Sequence, residues 1–219
     1  MKVAWLNQLE NSPIIAVVRA ATPEIAYQMA VCAIEGGLAS IEITWNTPHA
    51  QQLVRRLSQA FPNRAIGVGT ILTVEQLQQA ADVDAAFAFA PHTNVPLIQM
   101  ARSLGIPIIP GALTPSEIVT AWQAGATAVK VFPIQAVGGA AYLQAIAAPL
   151  NDIPLIPTGG VTLEQTPELL QAGAIAVGLS SQLFPRQLVQ TEDWAGITRR
   201  IQEGIQHIQT EHDQSSSNS

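Results

Sequence analysis

The chain is poor in cysteine, lysine, aromatic residues and charge, and each shortage excludes something. Of its 219 residues 5% are aromatic and 12% charged, and Cys32 is the single cysteine. A lone cysteine rules out an internal disulfide framework. Cys32 falls in an apolar helical stretch and reads as a small buried hydrophobe. The formal charge of −6 contains no basic run, so the electrostatic footprint for nucleic acid or an anionic membrane is missing and neither partner is expected. No apolar run reaches the ~18 residues of a transmembrane helix. The opening Met1-Lys2-Val3-Ala4-Trp5-Leu6-Asn7-Gln8-Leu9-Glu10 lacks the basic start, apolar block and small-residue cleavage site of a secretory signal. A cytosolic protein is expected, its location cytoplasmic. The histidines His49, His92, His207 and His212 form no convincing metal cluster, because the last two lie on or beyond the final helix. No metal and no other cofactor is expected.

What is present is aliphatic. Hydrophobic residues make up 48% of the chain, and Ala, Val, Ile and Leu carry most of that share, as buried parallel strands covered by helices require. The length suits one domain, near the short end of what a complete (β/α)8 barrel needs. After a short amphipathic opening helix with Val3, Leu6 and Leu9, β-rich runs alternate with helical segments. The strands are predicted at residues 14–19, 40–44, 65–69, 86–90, 107–110, 128–132, 155–157 and 174–178. The helices are predicted at 24–35, 48–60, 74–81, 95–104, 115–124, 140–150, 163–171 and 194–209.

Helix starts such as Thr22-Pro23-Glu24, Thr47-Pro48 and Thr114-Pro115-Ser116-Glu117 offer a capping hydroxyl followed by a proline that fits the first turn. Gln-Ala-Gly precedes a strand at both Gln123 and Gln171. It is too short an echo to establish an internal duplication. Eight strands interleaved with eight helices suit a closed parallel barrel better than an open doubly wound sheet, which more often has five or six strands. The fold class is therefore α/β, a single (β/α)8 TIM barrel over residues 1–213. The polar tail, 214–219, is expected to be disordered.

Within these apolar strands Arg19, Glu42 and Lys130 are out of place. The chain has only two lysines, Lys2 and Lys130, so the second belongs to no solvated basic surface. A desolvated amine has a lowered pKa and exposes the lone pair needed to attack a carbonyl carbon, which is what a Schiff-base lysine requires. A lysine salt-bridged to Glu42, or one contacting a phosphate, would occupy the same position. In Ile41-Glu42-Ile43-Thr44-Trp45-Asn46 the period of two puts Glu42, Thr44 and Asn46 on the inward face. There Glu42 could shuttle protons or simply pair the lysine.

Thr70, Pro91 and Thr158-Gly159-Gly160 gather at the C-terminal strand ends, where active sites of this fold form. Thr158-Gly159-Gly160 and Gly178-Leu179-Ser180-Ser181 follow strands seven and eight, where amides and hydroxyls commonly bind phosphate, although a glycine pair is often only a turn. His92, beside Pro91, could contact substrate, but without a visible partner it reads better as structural or solvated.

Lys130-Val131-Phe132-Pro133, together with Ile41-Glu42-Ile43-Thr44, Gly67-Val68-Gly69-Thr70 and Pro157-Thr158-Gly159-Gly160, resembles the class I 2-keto-3-deoxy-6-phosphogluconate aldolase family. The ordered motifs run from Arg19 to Ser181. The resemblance implies a carbon–carbon lyase and homotrimers, with Lys130 as Schiff-base nucleophile and Glu42 as general acid/base. It implies further that Thr70 and Pro91 hold a pyruvate moiety, that Phe132 packs beside the reacting centre, and that Gly159, Gly160 and Ser181 bind phosphate, with Ser180 the alternative.

Asn46 stands where gluconate-type members usually carry Arg, so a bidentate carboxylate clamp is lost and recognition falls more on Thr70, Arg19 or backbone groups. Asn46-Thr47-Pro48 and Gly178-Leu179-Ser180-Ser181 look more like the 2-keto-3-deoxy-6-phosphogalactonate branch. The small-molecule keto-acid substrate would be cleaved to pyruvate and glyceraldehyde 3-phosphate. 4-Hydroxy-2-oxoglutarate, cleaved to pyruvate and glyoxylate, would use the same reactive core. A sugar-phosphate isomerase or epimerase, or a non-catalytic phosphate-binding barrel, would explain the fold but explains Lys130 less well.

Overall fold

A computed structural model describes the backbone of residues 3–217 and the side chains of residues 5–211. Nine parallel strand segments run β1 (Ile14–Val18), β2 (Ser40–Thr44), β3 (Ala65–Gly69), β4 (Ala88–Phe89), β5 (Ile108–Ile109), β6 (Gly111–Ala112), β7 (Val129–Val131), β8 (Leu155–Pro157) and β9 (Val177–Leu179). They form a six-stranded sheet, β5-β4-β3-β2-β1-β9, and a three-stranded sheet, β6-β7-β8. β5 and β6 are two halves of one barrel strand. Pro110, between them, has no amide hydrogen to continue the ladder, but its carbonyl accepts from Lys130 N–H at 2.9 Å. On the other side, bridges Leu155↔Ala174 and Thr158↔Gly178 join the smaller sheet to the β9 side. The expected eight-stranded barrel is therefore what forms.

The surrounding helices are α1 (Val3–Asn11), α2 (Pro23–Glu35), α3 (Ala50–Ala60), α4 (Val74–Ala81), α5 (Val95–Leu104), α6 (Pro115–Ala124), α7 (Gly139–Ala147), α8 (Thr166–Gln171), α9 (Arg186–Gln190) and α10 (Trp194–Ser217), with a 3-10 turn at Ile134–Val137. Thr22 caps α2 by accepting from Ile25 N–H, and Thr114 with Glu117 closes a capping box on α6. The Thr47 cap does not form. α3 opens at Ala50 behind His49, whose φ is 56°, because Thr47 is buried and its Oγ1 lies 3.2 Å from that of Thr44. Helix α10 continues through Ser217, into the segment expected to be a disordered tail; Asn218 and Ser219 lie outside the described residues. None of the described helices is long and apolar enough to cross a membrane.

Two apolar layers result. The larger lies between the strands and the outer helices, through residues such as Ile41, Ile43, Val68, Val129 and Val177. The smaller fills the lower barrel with Ile15, Ala65, Phe87, Phe89, Ile109, Ala128, Ile156 and Ala176, plugged from below by Trp5 and Leu9 of α1. Trp5 stacks on Phe87 at 4.4 Å and meets Phe89 edge-on at 6.3 Å. Its indole N–H donates to Ser40 Oγ at 3.1 Å, so burying the ring leaves its polar atom satisfied. Gly67 makes the layer possible, since a Cβ there would run into the Phe87 ring.

Candidate functional site

Strand alternation carries the same inward faces upward from this apolar floor. Two residues beyond Ser40 comes Glu42, two beyond Ala128 comes Lys130, and two beyond Ile156 comes Thr158. Glu42 is paired in register with Val17 on one side and Gly67 on the other, while Lys130 sits between Gly111 and Ile156. Both charges are buried, Glu42 at 2% exposure and Lys130 at 8%. Room for the carboxyl comes from Gly69, where a Cβ would overlap Glu42 Oε1.

Burial pushes the Glu42 carboxyl above its ordinary value, against the opposing pull of Lys130 and then Arg19. Burial likewise holds the Lys130 amine below its ordinary value; Glu42 opposes that and Arg19 adds to it. Desolvation therefore moves both groups toward neutrality: the amine gives up its proton, and the carboxyl keeps one, more readily than either would in water. The ammonium position lies 4.6 Å from the Phe132 ring centroid and 5.7 Å from that of Phe89, so an apolar wall flanks the nitrogen.

Polar groups rim this pair. Arg19, exposed just past β1, donates to Thr70 Oγ1 at a long 3.5 Å. Thr70 has φ 60°, a left-handed conformation that costs a β-branched residue and that the neighbouring structure must hold in place. Thr158 Oγ1 is buried without a hydrogen-bond partner among the described residues and lies against Gly178, where a Cβ would come within 2.6 Å of it. Gly159 and Gly160 follow with φ 94° and 80°. Ser180 Oγ donates to Val17 O at 2.9 Å, tying the end of β9 to β1, and both Ser180 and Ser181 are exposed.

Pro91 packs its carbonyl against Gly111, where a Cβ would collide with it. A cavity of about 360 Å³ opens there between Pro91, His92, Gly111, Ser116 and Phe132. Asn46 is exposed on the β2–α3 loop. A larger cavity of about 890 Å³ lies at the opposite end, against Leu9, Pro13, Leu38, Leu170 and Ile205. It has neither the amine nor the carboxyl, so the chemistry belongs to the upper mouth. His92 is exposed there, and His49 takes the α3 N-cap position. His212 lies outside the residues whose side chains are described. Among the described residues no group of three or more His, Cys, Asp or Glu could hold a metal.

Reading the sequence missed the space that Gly69 yields to Glu42 and the bracing of the Gly159-Gly160 turn by Gln135 and Gln165. The second left a local trace. Thr162-Leu163-Glu164-Gln165 has the spacing of a reciprocal cap, and Thr162 Oγ1 accepts from Gln165 N–H while Gln165 Oε1 accepts from Thr162 N–H, both at 3.2 Å.

Residues 6–200 match the family model described as "KDPG and KHG aldolase". The chain is 32% identical over 206 residues to the 2-dehydro-3-deoxy-phosphogluconate aldolase of Treponema pallidum, covering 94% of this chain and 98% of that one. It is 34% identical over 182 residues to the 2-dehydro-3-deoxy-6-phosphogalactonate aldolase of Escherichia coli K12, covering 82% and 87%. Among solved structures, the KDPG aldolase of Legionella pneumophila superposes with a TM-score of 0.83 at 28% identity, over 93% of this chain and 98% of that one, and holds pyruvate as a covalent carbinolamine. A barrel with a desolvated amine facing a desolvated carboxyl, matched along nearly its whole length by these enzymes, makes this chain a member of the KDPG and KHG aldolase family.

Proposed function

We propose that this chain is a metal-independent class I aldolase that cleaves a 2-keto-3-deoxy-6-phospho sugar acid to pyruvate and glyceraldehyde 3-phosphate. The observation that carries the reading is Lys130, an amine buried within β7, held below its ordinary pKa and faced by Glu42. Its neutral nitrogen attacks the C2 ketone to give a carbinolamine, and loss of water leaves an iminium ion. The departing hydroxyl takes its proton from the Glu42 carboxyl, which is left ionised beside the new cation and ready to take the C4 hydroxyl proton directly or through water. As that proton leaves, the C3–C4 electrons move into the iminium, releasing the aldehyde and an enamine. Protonation at C3 and hydrolysis return pyruvate and free Lys130.

The remaining groups divide along the substrate. Thr70, Arg19 and Pro91 take the pyruvate end, Phe132 packs beside the reacting carbon, and the unpartnered Thr158 hydroxyl meets a substrate hydroxyl. Gly159, Gly160 and Ser181 hold the phosphate. Ser180 is the weaker candidate because Val17 already occupies its proton. Asn46, exposed on its loop, supplies at most a neutral hydrogen bond where an arginine would clamp a carboxylate. 4-Hydroxy-2-oxoglutarate shares the reactive core and is cleaved by the same Lys130 and Glu42, without using the phosphate groups.

The family resemblance also supports a cytoplasmic homotrimer, testable by light-scattering mass. The activity test is release of pyruvate, coupled to its reduction, from the gluconate- and galactonate-configured substrates and from 4-hydroxy-2-oxoglutarate. Turnover of at least one, abolished in Lys130→Ala, is expected. Turnover of none by a folded protein would contradict the proposal, and equal kcat/KM for the two epimers would remove any claim to stereochemical preference.

A further inference from the structure

Gln135 lies on the 3-10 turn that follows the Lys130 strand, outside the groups assigned above. Its amide nitrogen donates to Gln165 Oε1 at 2.9 Å, and that oxygen also accepts from Thr162 N–H at 3.2 Å. Its backbone N–H donates to Gly159 O at 3.3 Å, beside Ile134 N–H to Thr158 O at 3.0 Å. Its side chain also fills the space against Gly160, where a Cβ would come within 2.8 Å of Gln135 Cγ. One residue therefore touches the Gly159-Gly160 turn through backbone and side chain, and reaches past it to the segment where the chain leaves.

Both glycines have left-handed φ. A turn built from glycine is permissive and needs outside contacts to stay in one conformation. Gly159 is backed by Phe132, whose ring would lie 2.9 Å from a Cβ there; Gly160 is backed by Gln135. The brace is anchored at both ends. Gln165 and Thr162 are locked to each other by their reciprocal bonds, and Gln135 is held by its own backbone bond to Gly159 O.

We infer that Gln135 is a positioning residue that, through Gln165, holds the Gly159-Gly160 turn in the shape that receives the substrate's phosphate. The inference rests on the proposed phosphate-binding role of that turn. Gln135 takes no part in imine chemistry. It couples the segment carrying the lysine to the turn carrying the phosphate, setting the span between the two ends of the substrate.

The test compares substrates with and without phosphate in Gln135→Ala and Gln165→Ala. For the 2-keto-3-deoxy-6-phospho acid, KM is expected to rise about tenfold or more while kcat stays within about threefold, the pattern of lost binding that is uniform between ground and transition states. With 4-hydroxy-2-oxoglutarate, kcat/KM is expected to stay within about twofold, and combining the substitutions should add little, because both act on one contact. Parallel losses on both substrates, or no loss on either, would overturn the inference. Should Gln135→Ala fail to fold, Gln165→Ala removes the same bond without emptying the space under Gly160. A wild-type enzyme indifferent to phosphate would also overturn it, and trapping of pyruvate on Lys130 would still decide the aldolase reading separately.

Discussion

The two ends of this barrel are built from the same strands to opposite specifications. At the lower end Ile15, Phe87, Phe89, Ala128 and Ile156 close over Trp5 in an apolar plug whose one polar atom is satisfied by Ser40. One step higher the inward positions are Glu42, Lys130 and Thr158, all buried, the last with its hydroxyl unpartnered among the described residues. Lower-layer burial stabilises the fold, at about 25 cal/mol per Å² of apolar surface removed from water. The upper layer costs free energy, because desolvating an amine and a carboxyl is repaid only partly by their attraction. The difference teaches how this fold carries chemistry: the floor holds the strands rigid enough that their upper ends can keep groups in states water would not permit.

Substitutions at the two ends should separate activity from stability. The largest effect is expected for Lys130→Ala, which should lower kcat by roughly 10⁴-fold or more through loss of the nucleophile while leaving the melting temperature unchanged or higher. A marked fall in melting temperature would show that the amine belongs to the stabilising layer. Trp5→Ala should do the reverse, costing about 3–5 kcal/mol of stability as large-to-small core changes do, with kcat/KM preserved below the unfolding transition. Denaturant unfolding and kinetics on the same sample check both halves.

Glu42→Gln should cost about 10²–10⁴-fold in kcat, the range for a general acid/base, and it carries a sign. An ionised Glu42 favours the ammonium form of Lys130, so its removal leaves desolvation less opposed and the amine loses its proton at lower pH. The acidic limb of the imine-formation profile should therefore move down in pH; movement upward would contradict the electrostatic reading. The smallest effect is expected for Gly69→Ala, whose Cβ overlaps Glu42 Oε1. Pushing the carboxyl aside by about an ångström should cost up to roughly 10²-fold in kcat, with little change in pyruvate KM.

The upper layer was legible in the sequence because charge inside an aliphatic strand is expensive and therefore conspicuous. Glu42 and Lys130 announced themselves that way, and the alternation through Ile41-Glu42-Ile43 put the carboxyl on the interior face where the structure has it. Strands β2, β3 and β8 begin and end where their apolar runs do. The strand expected at residues 107–110 covers β5 alone and stops at Pro110, leaving β6 outside it, because a ladder interrupted by one missing donor resembles a terminus. Helix α9 and the 3-10 turn are too short to show a period, and the Thr47 cap was lost to a tertiary choice, the turn of its hydroxyl toward Thr44. The turn's brace was invisible for a related reason: Gln135 and Gln165 are ordinary polar residues until the fold brings them together.

The central claim is that Lys130 forms a Schiff base, and the most direct measurement is intact mass with peptide mapping after incubation with pyruvate and borohydride, using Lys130→Ala as control. A reduced pyruvyl adduct on the Lys130 peptide, missing from the variant, is the result expected. No adduct on a folded wild-type chain, or an adduct elsewhere, would contradict it.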